Sequence, residues 1–172
     1  MVFREVKPSF HHAAVILLLT VILGLLAASS HVLRLTARIS VELLDLMEIQ
    51  AEYLSEESLI RVKLIDGAIV AFPVTIQCSG LITLLIFAVI SAFTVGLLRG
   101  ALITKLAWFI SSISLGYAWK ICQLALVMAI AHNFGLDGFT FARYVLAPST
   151  DFAWIVSLWA VGMSWLRRED LT

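Results

Sequence analysis

Four long apolar blocks leave this chain of 172 residues little freedom in what it can fold into. They are AAVILLLTVILGLLAASSHVL (13–33), GLITLLIFAVISAFTVGLL (80–98), LAWFISSISLGYAWKICQLALVMAIAH (106–132) and FAWIVSLWAVGMSWL (152–166). A bilayer core takes about 20 helical residues. The first two blocks match that length, the fourth is short unless it begins earlier, after Pro148, and only 14% of the chain is charged, against about 25% in ordinary soluble domains. The expectation is one all-α integral membrane domain with about four transmembrane helices. They are placed at 13–34, 79–98, 102–134 and 150–167, after a short polar start at 1–12. The third block exceeds one crossing, so it is tilted, kinked near Ser114–Gly116, or broken. The run from Ala13 has no A-x-A-like cleavage site and reads as a retained helix rather than a signal peptide.

The segment between the first two blocks, 35–77, has two parts. Over 36–55, Ile39, Leu43, Leu46 or Met47, and Ile49 recur near helical spacing with acids elsewhere, which predicts an amphipathic helix. Over 59–77, LIRVKL alternates, DG is a favoured tight turn, and AIVAFPVTI is β-branched and aromatic, which predicts a β-hairpin. Pro73 makes the second strand an edge or interrupts it.

Short-loop Lys and Arg set the orientation. Arg4 and Lys7 precede the first block, Arg99 and Lys105 bracket the link after the second, and Arg167 and Arg168 follow the fourth. These belong on the cytoplasmic side. The intervening 34–77 segment carries seven acidic residues and belongs outside. Four crossings then close as in, out, in, out, in. Cys78, the hairpin and the loop at 135–150 share the external face. The expected location is the cytoplasmic (inner) membrane of a prokaryote. Twelve basic and twelve acidic residues cancel, so a nucleic-acid partner has no support.

Few residues in such a chain can carry chemistry. Cys78, in TIQCSGLITLL, stands at or just before a helix start, where unpaired N–H groups and the helix dipole stabilise a thiolate. The same backbone, at Ser79 and Gly80, can approach a substrate and bind an oxyanion. The plain alternative is a buried structural cysteine. Lys120 interrupts the third block, where a cation costs roughly 2.5–3.5 kcal/mol. It lies about 22 Å along the helix from Lys105, toward the external side. Its alternative is snorkelling to the headgroups. Arg143 sits in FTFARYVLAP among Phe139, Phe141 and Tyr144; a solvated loop charge is the alternative. Cys122 reads as a small buried hydrophobe. His132 reads as an interfacial cap and Asp137 as turn chemistry. The five tryptophans read as anchors or packing. The four histidines are scattered and no Cys/His pair has ligand spacing, so neither a metal nor a cofactor is expected.

In order and spacing these features resemble the exosortase/archaeosortase family of integral membrane cysteine transpeptidases. The resemblance runs over about 36–168. An external β segment enters a C-S-G-L motif at a helix start, here IQCSGL. A helix and a basic turn follow, here LLRGALITK. A long apolar block carries a cation, here GYAWKICQLALVMAIAHNFG, and an arginine after an aromatic precedes the last helix, here FTFARYVLAP. Where the family has arginine in the long block, this chain has Lys120, and Tyr117 stands where an asparagine usually precedes it. Lysine keeps the charge and loses the bidentate fork.

The resemblance implies cleavage of the C-terminal sorting signal of secreted proteins: a short motif, a transmembrane helix and a basic tail. Cys78 would attack the scissile carbonyl to form an acyl-enzyme, with Lys120 and Arg143 stabilising the thiolate and oxyanion. A reading from another class is a small non-catalytic membrane subunit that binds an envelope or secreted partner, with Lys120 paired to an acid on the partner's helix. A transporter component would need internal repeats or paired broken helices, which this sequence lacks.

Overall fold

A computed structural model describes residues 10–27, 29–56, 59–76, 79–97 and 101–169. The chain is mostly helical, with one small sheet. The elements run α1 (Phe10–Ala27), α2 (Ser30–Leu46), β1 (Ala51–Leu54), β2 (Leu59–Lys63), β3 (Ile69–Pro73), α3 (Leu81–Leu97), α4 (Leu102–Phe141), a π-helical turn (Ala142–Leu146) and α5 (Ala147–Glu169).

The first block and the segment after it divide differently from the expectation. Residues 13–34 are not one helix: α2 begins afresh at Ser30, with the Ser29 side chain accepting from the Val32 N–H at 3.4 Å. Serine at that position satisfies an otherwise orphaned donor. The amphipathic helix of 36–55 is correspondingly the second half of α2 and ends at Leu46. Glu48, at φ 60°, turns the chain, and Ile49 buries behind it.

The hairpin of 59–77 is present as β2 and β3, with the DG turn closed by Asp66 Oδ1 accepting from the Ala68 N–H at 2.9 Å. It gains a third, unforeseen strand. Ala51–Leu54, expected to be helical, pairs antiparallel with β2, Ala51 opposite Val62 and Leu54 opposite Leu59. The sheet order is β1-β2-β3. Its apolar face, with Ile60, Val62 and Phe72, packs on Ala37 and Leu44 of α2 and on Leu124, Met128 and Ala129 of α4. His132 ties the α4 side to the sheet, its Nδ1 lying 2.5 Å from the Lys63 carbonyl.

A second core joins the helices. Ile16 of α1, Phe87, Ala88 and Ala92 of α3, and Trp108 and Phe109 of α4 are buried together, with Trp154 and Leu158 of α5 against them. α5 runs back along α4: Trp154 fills the space over Gly116, and Trp108 the space over Gly162. The reversal is built from helix, not from the loop expected at 135–150. Gly135 alone leaves helical geometry (φ 70°, ψ −160°), the helix resumes, and the π-helical turn leads into α5. Of the three readings of the long block, a kink near Ser114–Gly116 is not seen; the break sits at Gly135. Pro148 follows directly on the π-helical turn, in the first turn of α5.

By length and composition, the helical run Leu102–Trp165 is apolar enough to cross a membrane; α3 is apolar but shorter, and α1 and α2 reach that length only as a bent pair.

Candidate functional site

Between the two cores lies a cavity of about 390 Å³. Its walls come from the end of β3, the start of α3, the middle of α4, the π-helical turn and the start of α5. Ser79, Gly80, Lys120 and Arg143, far apart in the sequence, all line it.

Lys120 forms the floor. It is 1% exposed and pairs with Asp151 of α5. Its Nζ donates to Gln123 Oε1 at 3.1 Å. Gln123 in turn donates to the Ala147 carbonyl at 3.0 Å and to Thr150 Oγ1 at 2.9 Å. The α4 cation is thus held by the first turn of α5, and snorkelling does not describe it. A buried charge is tolerated only when paired and hydrogen-bonded, and here both conditions are met inside one chain. This corrects the expectation that Lys120, if it had an acid, would find it on a partner. The fourth apolar block, taken from Phe152, stopped one residue short of Asp151. Gln123 and Thr150 also went unsingled, because polar residues beside an apolar run carry no signal until their partners are known.

Gly80 lies directly against Lys120. Its φ of +68° is left-handed, and a Cβ placed there would stand 2.6 Å from Lys120 Cδ and 3.0 Å from Nζ. Glycine is required on both counts. Ser79 is buried, its Oγ donating to the Ile76 carbonyl at 3.0 Å. Its N–H donates to the Thr75 carbonyl at 2.9 Å. The oxyanion role expected of both backbone groups therefore narrows to Gly80, because the Ser79 N–H is already bonded. Cys78, the expected nucleophile, lies outside the described residues.

Arg143, on the π-helical turn, is half-buried rather than solvated. Its guanidinium carbon lies 5.8 Å from the Phe139 ring centroid and 5.9 Å from that of Tyr144, within cation–π range. Phe72 stacks on Phe139 at 4.6 Å, which links the arginine to the sheet.

The chain matches no protein-family model, no curated protein and no solved structure.

Other expectations fall elsewhere. Cys122 is exposed on α4 rather than buried, because it lies on the side of the helix away from both cores. Tyr117 shares a 2.8 Å hydrogen bond with Thr36 of α2. Lys105, expected to bracket the short link on the cytoplasmic side, is fully buried in the first turn of α4, its Nζ 3.2 Å from His12 Nδ1. Among the described residues, no three His, Cys, Asp or Glu side chains cluster to hold a metal ion.

Proposed function

We propose that this chain is a membrane cysteine peptidase or transpeptidase of exosortase/archaeosortase type, which cleaves the C-terminal sorting signal of secreted proteins. One observation carries the reading. The two residues that follow Cys78 in the sequence, together with Lys120 and Arg143, line a single cavity. The sequence singled out these positions, and the resemblance gave them one shared role.

The proposed topology has four crossings, with the sheet and the cavity mouth on the external face of the cytoplasmic membrane of a prokaryote. The contact of His12 with Lys105 supports the N-terminal region and the α3–α4 link sharing one end. The exposed aromatics Phe141, Tyr144 and Phe152 suit an interfacial belt at the other. A substrate anchored by its own helix reaches such a cavity by lateral diffusion.

In the reaction, the Cys78 thiolate attacks the scissile carbonyl and the carbonyl π-electrons move to oxygen. The oxyanion is met by cationic side chains and the Gly80 N–H. Lys120 has three donors. Asp151 and Gln123 take two, leaving one for a group entering beside Gly80. Collapse of the intermediate breaks the C–N bond; the leaving nitrogen takes a proton from water at the cavity mouth, and the helix-bearing fragment leaves as an amine. Water or an acceptor amine then attacks the thioester and releases the thiol.

The test is made in the native host. Cys78→Ala is compared with wild type by mass spectrometry of protein C-termini. A set of proteins that keeps its C-terminal apolar helix only in the variant supports the reading. Unchanged C-termini, with the variant folded and abundant, would sink it.

A further inference from the structure

The sheet ends openly at β3. Among the described residues β3 pairs with β2 on one side and with no strand on the other. The register tells which backbone groups are left over. Lys63 donates its N–H to the Gln50 carbonyl at 3.1 Å, toward β1, and Leu64 donates to Ala68 at 2.7 Å, on the β3 side. Alternation then turns Val62 and Ile60 toward β3, where they face Val70 and Phe72. Ile69, Ala71 and Pro73 direct their backbone groups to the open edge. All three are exposed. Pro73, which lacks an N–H, is tolerated there because no β2 group needs it.

This edge runs into the candidate site: Phe72 and Pro73 line the cavity with Lys120 and Arg143. An unpaired strand edge is a template for one kind of ligand, an extended polypeptide. We propose that the open edge of β3 is the substrate-docking surface. The peptide segment just before a substrate's anchor helix pairs with Ile69–Pro73 as a fourth strand, parallel to β3. The proposal rests on the peptidase reading. The direction follows from topology. β3 leads through 74–80 into α3, and the substrate's motif leads into its own helix. Both chains enter the bilayer from the external face, so they run the same way. β3 has five residues, about 16 Å at strand rise, enough to align a short motif. Its Pro73 end delivers the scissile bond to the cavity.

Photo-cross-linking tests this in native membranes carrying the Cys78→Ala variant, in which uncleaved substrate remains. p-Benzoylphenylalanine is placed at Ile69, at Pro73 and, as a control, at Leu126 on the exposed side of α4. The expected links fall just before the C-terminal apolar helix of the captured protein, with those from Pro73 nearer that helix than those from Ile69. The reverse order, or links that scatter as they do from Leu126, overturns the proposal. A second variant, Ala71→Pro with Cys78 intact, removes the outward N–H. C-terminal processing should fall about tenfold, the effect of one lost hydrogen bond at the upper end of its range, while Ala71→Val keeps it. Wild-type processing by Ala71→Pro overturns the proposal; if that variant does not accumulate, the cross-link order alone decides. Changed C-termini in Cys78→Ala without ordered links would sink the docking edge and leave the peptidase standing. Ordered links without any change of C-termini would do the opposite.

Discussion

Lys120 of α4 and Asp151 of α5 form an ion pair on the floor of the cavity, with side chains 1% and 13% exposed. Removing one partner from such a pair leaves a charge uncompensated, at a cost of about 3–5 kcal/mol. Asp151→Asn is expected to approach the lower end, because the amide still accepts a hydrogen bond. The double variant Lys120→Met, Asp151→Leu is expected to regain most of the stability and no processing activity. Unfolding in detergent, read beside C-terminal processing, checks both. A double variant as weak as the single one would show that the pair is not what the helices lose.

Gly80 and Gly67 both have positive φ, +68° and +87°, but only Gly80 has a neighbour where a side chain would go. Alanine in the left-handed region costs about 1–2 kcal/mol. Gly67→Ala is expected to show that cost alone. Gly80→Ala adds the displacement of Lys120 and should lose processing as well. Equal stability losses with normal processing would refute the Gly80–Lys120 contact.

The antiparallel packing of α5 on α4 rests on Trp154 over Gly116 and Trp108 over Gly162. Filling either glycine overpacks the seam, at a typical cost of about 1–3 kcal/mol. Gly162→Ala is expected to destabilise the wild type and to be nearly neutral in a Trp108→Ala background. Measuring the four proteins of that cycle isolates the pair; additive losses would contradict the contact.

In the proposed topology, a membrane-impermeant maleimide added from outside labels Cys78. In the same topology Cys122, exposed on α4, would face lipid, and it is expected to react only after solubilisation. Labelling of Cys78 that required access from the cytoplasm would reverse the orientation.

Much of the architecture was legible locally. Alternation and the Asp66-Gly67 turn located β2 and β3, and apolar length located α3 and most of α4. β1 is hidden because AEYL continues the helical spacing of the residues before it; the turn at 47–50, with Glu48 in a left-handed conformation, separates them. The sequence reads as a loop over the helical reversal at 136–146 because Gly135, Asp137, Gly138 and Pro148 are turn formers. One of them, Gly135, makes the break, and the others stand in helix, Gly138 against Phe134 and Ile130. For the site, Lys120 announced itself as a cation in an apolar run, and Arg143 by its aromatic neighbours. Asp151 did not, since an acid at the edge of a block signals nothing until α5 lies beside α4.

α4 belongs to both cores, with Trp108 and Phe109 in one and Leu124 to Ala131 in the other. It therefore acts as a ruler as well as a wall. At 3.6 residues per turn, one residue inserted between Lys120 and Leu124 would swing everything beyond it by about 100° and push it along by about 1.5 Å. The sheet would leave its seat, and α5, which also lies beyond the insertion, would lose its match to Trp108 and Gly116. The spacing along this stretch is thus a phase constraint between two halves of the molecule. Changes of length belong in the links between elements, not in this rod.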